Sequence, residues 1–231
     1  MGASEERVLI VGAGDGLSAS LARLFANEGM TIALCARRPD KLGALCRETD
    51  ASAHACDAAD PAAVERLFAT LDPDGGPSIV VYNPSYRVQG PLIDLDPEEV
   101  RKSLEVSAFG AFLVARQAAR RMLSAGRGTI LFTGASAGVK GFPRSAPFAM
   151  GKFALRGLAQ SMARELQPQN IHVAHFVIDG AIRNPGRREP SDRPDSMLDP
   201  DAIARTYLDV LRQDRSAWTS EVELRPWVEP F

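Results

Sequence analysis

Residues 7–29 read RVLIVGAGDGLSASLARLFANEG, and this stretch decides the fold. Val8 to Val11 are an apolar run between a charge and a glycine turn, the pattern of a strand buried on both faces. Gly12, Ala13, Gly14, Asp15 and Gly16 turn the chain. Leu17, Leu21, Leu24 and Phe25 then recur at helical spacing until Gly29 ends the helix. A strand that feeds a helix through glycines exposes free N–H groups at the positive end of the helix dipole, where a pyrophosphate can sit. The spacing is not the strict GxGxxG fingerprint, because Leu17 stands where its last glycine would be. It matches the looser GxxxGxG form, with Gly12 and Gly16 in place and Ser18 at the third position. A tight βα turn without a ligand is the alternative.

The alternation continues outward. Strands are predicted at 30–35, 53–56, 78–82, 129–133, 173–178 and, at an edge, 221–224. Helices are predicted at 39–47, from the Asp60 cap with Pro61 to 71, from the Asp96 cap with Pro97 and Glu99 to 125, at 146–166 and at 200–213. Strands alternating with helices build a single α/β domain around a doubly wound parallel sheet, whose ligands bind beyond the carboxyl ends of the strands. The 231 residues suit one such domain. A net charge of −2 without a basic block gives no sign of nucleic acid or an anionic membrane surface. No apolar run approaches the roughly eighteen residues of a membrane helix, and the first six residues are unlike a secretory signal. Cys35, Cys46 and Cys56 lack metal spacing, so no metal is expected; they read as buried free thiols of a reducing, cytoplasmic compartment.

The second predicted strand ends in Leu34, Cys35 and Ala36, followed by Arg37 and Arg38. A carboxylate at this point accepts hydrogen bonds from an adenosine ribose, whereas a guanidinium donates them to a 2′-phosphate. With no acid there and two arginines, NADP(H) is preferred over NAD(H). Asp15 opposes this if it faces the same pocket, and a solvated loop is the alternative for both arginines, above all Arg38. Asp57, after the third strand, can bond an adenine amino group or cap a helix.

The chain resembles the short-chain dehydrogenase/reductase family over nearly all of its length. The resemblance rests on GAGDGLS at 12–18, ARR at 36–38, CDAAD at 56–60, YNPS at 82–85, VSAFGAF at 106–112 and FAMGKFALRGLAQSMARELQPQNIHV at 148–173. It implies a Rossmann-type sheet of about seven strands, hydride transfer between a nicotinamide and a carbonyl or alcohol, and a homodimer or homotetramer. It also implies cofactor contacts from Gly12, Gly14, Gly16, Leu17, Arg37, Asp57, Asn83, Lys152 and Ile182. The family's catalysis needs a tyrosine hydroxyl with a lysine four residues later. Lys152 is present, but Phe148 occupies the tyrosine position, Ala135 the serine position with Ser136 beside it, and Ser107 the position of the relay asparagine. After Asn83, Pro84 and Ser85 replace the usual Ala-Gly.

Two functions remain open. In the first, the protein is an NADP(H)-dependent oxidoreductase whose proton comes from Tyr86, Ser136 or a water held by Lys152; for Tyr86, a packed or solvent-facing loop tyrosine is the alternative. In the second, it is a catalytically degenerate dinucleotide-binding protein, a redox sensor or partner subunit, in keeping with the joint loss at 148, 135 and 107. Residues 183–200 are expected to cover the substrate. Their arginines suit a carboxylate or phosphate, and their interleaved acids suit a self-neutralised loop. Phe109, Phe112, Phe142 and Phe148 are candidates for an apolar floor, with helix packing the equal alternative for Phe109 and Phe112. His175, inside a strand, reads as a satisfied core histidine.

Overall fold

The computed structural model describes residues 6–229. Seven parallel strands form one sheet in the order β3 (Ser52–Ala55), β2 (Thr31–Ala36), β1 (Arg7–Val11), β4 (Ile79–Tyr82), β5 (Gly128–Thr133), β6 (Ile171–Ile178) and β9 (Glu221–Leu224). A second, two-stranded parallel sheet pairs β7 (Ala181–Ile182) with β8 (Met197–Leu198). Strand order reverses between β1 and β4, which opens a crevice at the carboxyl end of the sheet.

The apolar run of β1 divides between two cores because successive side chains point to opposite faces. Val8 and Ile10 face one core with α1 (Leu17–Asn27), α2 (Gly43–Thr49) and α7 (Pro200–Leu211). Leu9 and Val11 face the other, with α3 (Pro61–Leu71), α5 (Gly110–Ala125) and α6 (Ala146–Leu166). Asp60 and Asp96 cap α3 and α4 (Pro97–Leu104) as expected, each accepting a backbone N–H two residues on. Among the described residues, no helix is long and apolar enough to cross a membrane.

Besides shifted element ends and the β7–β8 pair, which no sequence pattern marked, three details differ from the expectation. The predicted helix at 39–47 begins as a 3₁₀ turn over Pro39–Leu42 before α2. The long helix at 97–125 is broken by a π turn at Glu105–Phe109, where the buried Tyr82 hydroxyl donates to the Val106 carbonyl at 2.5 Å. A single-turn widening of this kind leaves a helical hydrophobic period almost unchanged, so periodicity does not report it. Lastly, Cys46 is only half-buried, while Cys35 and Cys56 are buried.

Candidate active site

The glycine turn is fixed by backbone geometry. Gly12 has φ +80°, and a Cβ built there would lie 2.7 Å from the Pro84 nitrogen, so this position admits only glycine. The N–H groups of Gly12 and Ala13 both donate to the Cys35 carbonyl. Asn83 donates to the Ser18 hydroxyl at 2.7 Å, and Ser18 donates to the Gly12 carbonyl at 3.0 Å, tying the turn to the end of β4. A Cβ at Gly14 would meet nothing within 4 Å. Helix α1 then starts without a side-chain cap and without an acid in its first turn, so its positive end is left for an anion.

Two cavities flank this turn. The one on the β2 side holds about 450 Å³ and is lined by Gly12, Gly14, Arg37, Asp57 and Asn83, with Asp15, Arg38 and Lys41 adding charge. Asp57 uses one carboxylate oxygen on the Ala59 N–H at 3.0 Å. The cavity on the β6 side holds about 590 Å³ and receives Gly16, Leu17, Ala135, Ser136, Lys152 and Ile182. Asn83 lies at the wall of both. The sequence-derived cofactor positions therefore share one crevice, open cavity on either side of an uncapped helix end, and these are the features a dinucleotide requires.

Lys152 is the central group of the larger cavity. Its side chain is 2% exposed and Nζ donates to the Thr133 carbonyl at 2.8 Å. No carboxylate pairs with it among the described residues. Burial without a counter-ion pulls the ammonium down to about 8. Thr133 is itself held by a 2.8 Å hydrogen bond between its hydroxyl and that of the buried Tyr207. Phe148, one helical turn before Lys152, lines the cavity with two cations near its ring: Lys152 Nζ is 5.9 Å from the ring centroid and the Arg87 guanidinium carbon 5.1 Å.

Other candidates are placed elsewhere. Tyr86 borders the smaller cavity; its hydroxyl donates to Glu99 at 2.5 Å, and Lys102 lies over its ring. Ser107 is buried in the π turn with its hydroxyl unpaired among the described residues, and a Cβ built at Gly151 would lie 2.8 Å from the Ser107 Cβ. Phe142 and Phe148 line the larger cavity, but Phe109 and Phe112 do not; they stand 46% and 44% exposed on the outer side of the π turn and α5. His175 is only half satisfied. Its Nδ1 meets Glu221 at 3.1 Å, its Nε2 has no partner among the described residues, and burial pulls it down to about 4. Within 183–200, Asn184 and Arg187 reach the larger cavity, and Arg183 pairs with Asp199.

Arg87, Lys140 and Asp179 also line the larger cavity, though no pattern in the sequence marks them. Arg87 follows the Pro84-Ser85 departure, which was the one available signal. Asp179 is buried between Lys140, at 3.7 Å, and Arg225, at 3.1 Å.

The sequence profile of the short chain dehydrogenase family matches residues 6–189. The trans-4-hydroxycyclohexanecarboxylate dehydrogenase of Sinomonas cyclohexanicum is 30% identical over 201 residues, covering 79% of this chain and 74% of that protein. A short-chain dehydrogenase from Rhodopseudomonas palustris superposes with a TM-score of 0.84 at 35% identity, over 96% of this chain and 99% of that one. A metagenomic short-chain oxidoreductase in complex with NADP gives a TM-score of 0.85 at 27% identity, over 96% and 98% of the two chains.

Proposed function

The chain belongs to the short-chain dehydrogenase family, and from that premise we propose an NADP(H)-dependent oxidoreductase in which Lys152, rather than a tyrosine, handles the proton. When bound, the nicotinamide supplies or accepts the hydride at the substrate carbon. The observation that carries this reading is a buried ammonium without a carboxylate partner, kept in a cavity that opens to substrate. Such a group destabilises the fold, so its retention calls for a use.

In reduction the substrate oxygen gains an electron pair and takes a proton from Lys152 Nζ, directly or through one water. Solvent then restores the proton. One Nζ hydrogen is held by the Thr133 carbonyl, leaving the others for the cavity. Ser136 lines the same wall and is the hydroxyl nearest in sequence to the family's serine position. Tyr86 is set aside as donor, since its hydroxyl is engaged by Glu99 in the neighbouring cavity.

Arg37, Arg38 and Lys41 in the smaller cavity support NADP(H) over NAD(H); Asp15 lines the same cavity and opposes it, but is outnumbered by the three cations. Fluorescence titration is expected to give a lower Kd for NADPH than for NADH, and Arg37→Ala to remove about 1.5–3 kcal/mol of that preference, the range of a hydrogen bond to a charged group. Equal binding of both nucleotides by the unmodified protein would refute the assignment.

The second reading, nucleotide binding without turnover, draws on the phenylalanine, alanine and buried serine at 148, 135 and 107. Turnover that depends on Lys152 separates the two.

We also propose a homodimer or homotetramer formed through the outer faces of α5 and α6. Phe112, Met150 and Phe153 are 44%, 50% and 45% exposed there, and Phe109 in the adjoining π turn stacks on Phe112. Sedimentation velocity is expected to show an oligomer that Phe153→Glu converts to monomer; a monomer before substitution would contradict this.

A further inference from the structure

We propose that the substrate carries a carboxylate, and that Arg87 is the residue that takes it. This rests on the oxidoreductase reading and adds the substrate class.

The argument is one of charge balance within the larger cavity. Its cations are Arg87, Lys140, Lys152 and Arg187, and its anions are Asp179 and Glu229. Asp179 is already held by Lys140 and Arg225, and Glu229 lies within the field of Arg225. None of the carboxylates of the covering segment lines the cavity: Glu189 accepts the Met197 N–H at 3.0 Å, Asp195 accepts the Trp227 indole N–H at 3.3 Å, Asp199 pairs with Arg183, and Asp192 lies outside the cavity wall. No ion pair neutralises Arg87 among the described residues. Among the described residues the lining of the cavity therefore keeps a net positive charge.

Arg87 is also held in position. An exposed arginine ordinarily moves through solvent, but this guanidinium rests over the Phe148 ring, where a cation–π contact orders it without satisfying its N–H edge. The ring stands at the family's proton-donor position, so the fork of donors lies beside the site of reaction. A planar carboxylate matches that fork bidentately. Phe148 thus has a positive role: it is the platform that presents Arg87.

The test is calorimetric titration of the NADPH-saturated protein with three probes, 4-formylbenzoate, its methyl ester and 4-formylphenyl phosphate. The acid is expected to bind about 10- to 100-fold more tightly than the ester, the equivalent of one charge-assisted hydrogen-bond pair. Arg87→Gln should erase that ratio, Arg87→Lys should restore part of it, and neither should change the Kd for NADPH. An ester that binds as well as the acid, or a ratio that survives Arg87→Gln, would overturn the proposal. Tighter binding of the phosphate than of the benzoate would overturn the carboxylate assignment. If NADPH does not bind, the oxidoreductase reading fails separately, and the same titrations on the protein alone still decide whether Arg87 takes the anion.

Discussion

Lys152→Met is expected to lower NADPH-dependent carbonyl reduction by about 10²- to 10⁴-fold, the contribution of a positioned acid, while making the fold more stable. The opposite signs share one cause. Burial pulls the ammonium from its ordinary 10.5 to about 8. Between those values the unfolded chain binds more protons than the folded one, so stability rises with pH through that window and the penalty is complete below pH 8. At about 1.4 kcal/mol per unit it approaches roughly 3 kcal/mol at neutral pH. Urea denaturation should show Lys152→Met gaining a large part of this and losing the rise at alkaline pH. A variant both inactive and less stable would mean that Lys152 is a packing residue. The same ionisation sets the direction of the rates: reduction needs the ammonium and falls above pH about 8, whereas oxidation needs the free amine and rises toward it.

Phe148→Tyr is expected to raise the rate of reduction by about 10²-fold, because it places a hydroxyl donor one helical turn from Lys152. The ring already lines the cavity and lies 5.9 Å from Nζ, so little rearrangement is needed to bring in the oxygen. Steady-state kinetics should show the gain in kcat. No gain, with NADPH affinity intact, would mean that the proton path runs elsewhere and that Phe148 serves only Arg87. A kcat gain accompanied by a higher KM for 4-formylbenzoate would separate the two duties of the ring, since a tyrosine hydroxyl competes for the guanidinium.

The fold was legible because most of its strands are short apolar runs and three of its helices, α3, α4 and α7, carry caps that act locally. Asp60 and Asp96 were identified from residue type and position alone, and both accept the expected N–H. That the candidate cofactor positions gather around one crevice was legible for a related reason: most of them lie in turns directly after strands, so sequence order is spatial order. The surroundings of Lys152 and Phe148 were not. Arg87 meets Phe148 across 61 positions, and Tyr207 meets Thr133 across 74. Such pairings depend on tertiary packing that no local pattern encodes. Tyr86 shows the converse: its chemistry suited a proton donor, but Glu99, on the first turn of α4, takes its hydroxyl. Phe109 and Phe112 had the right composition for a substrate floor and the wrong side of the helix, a distinction hidden by the π turn immediately before α5.

The most direct test of the central claim is the initial rate of NADPH oxidation with 4-formylbenzoate and a set of neutral aldehydes and ketones, from neutral to alkaline pH, in the unmodified protein and in Lys152→Met. The expected result is saturable carbonyl reduction that falls above pH about 8 in the first and is lost in the second. Tight NADPH binding without turnover of any carbonyl, or turnover unchanged in Lys152→Met, would contradict it.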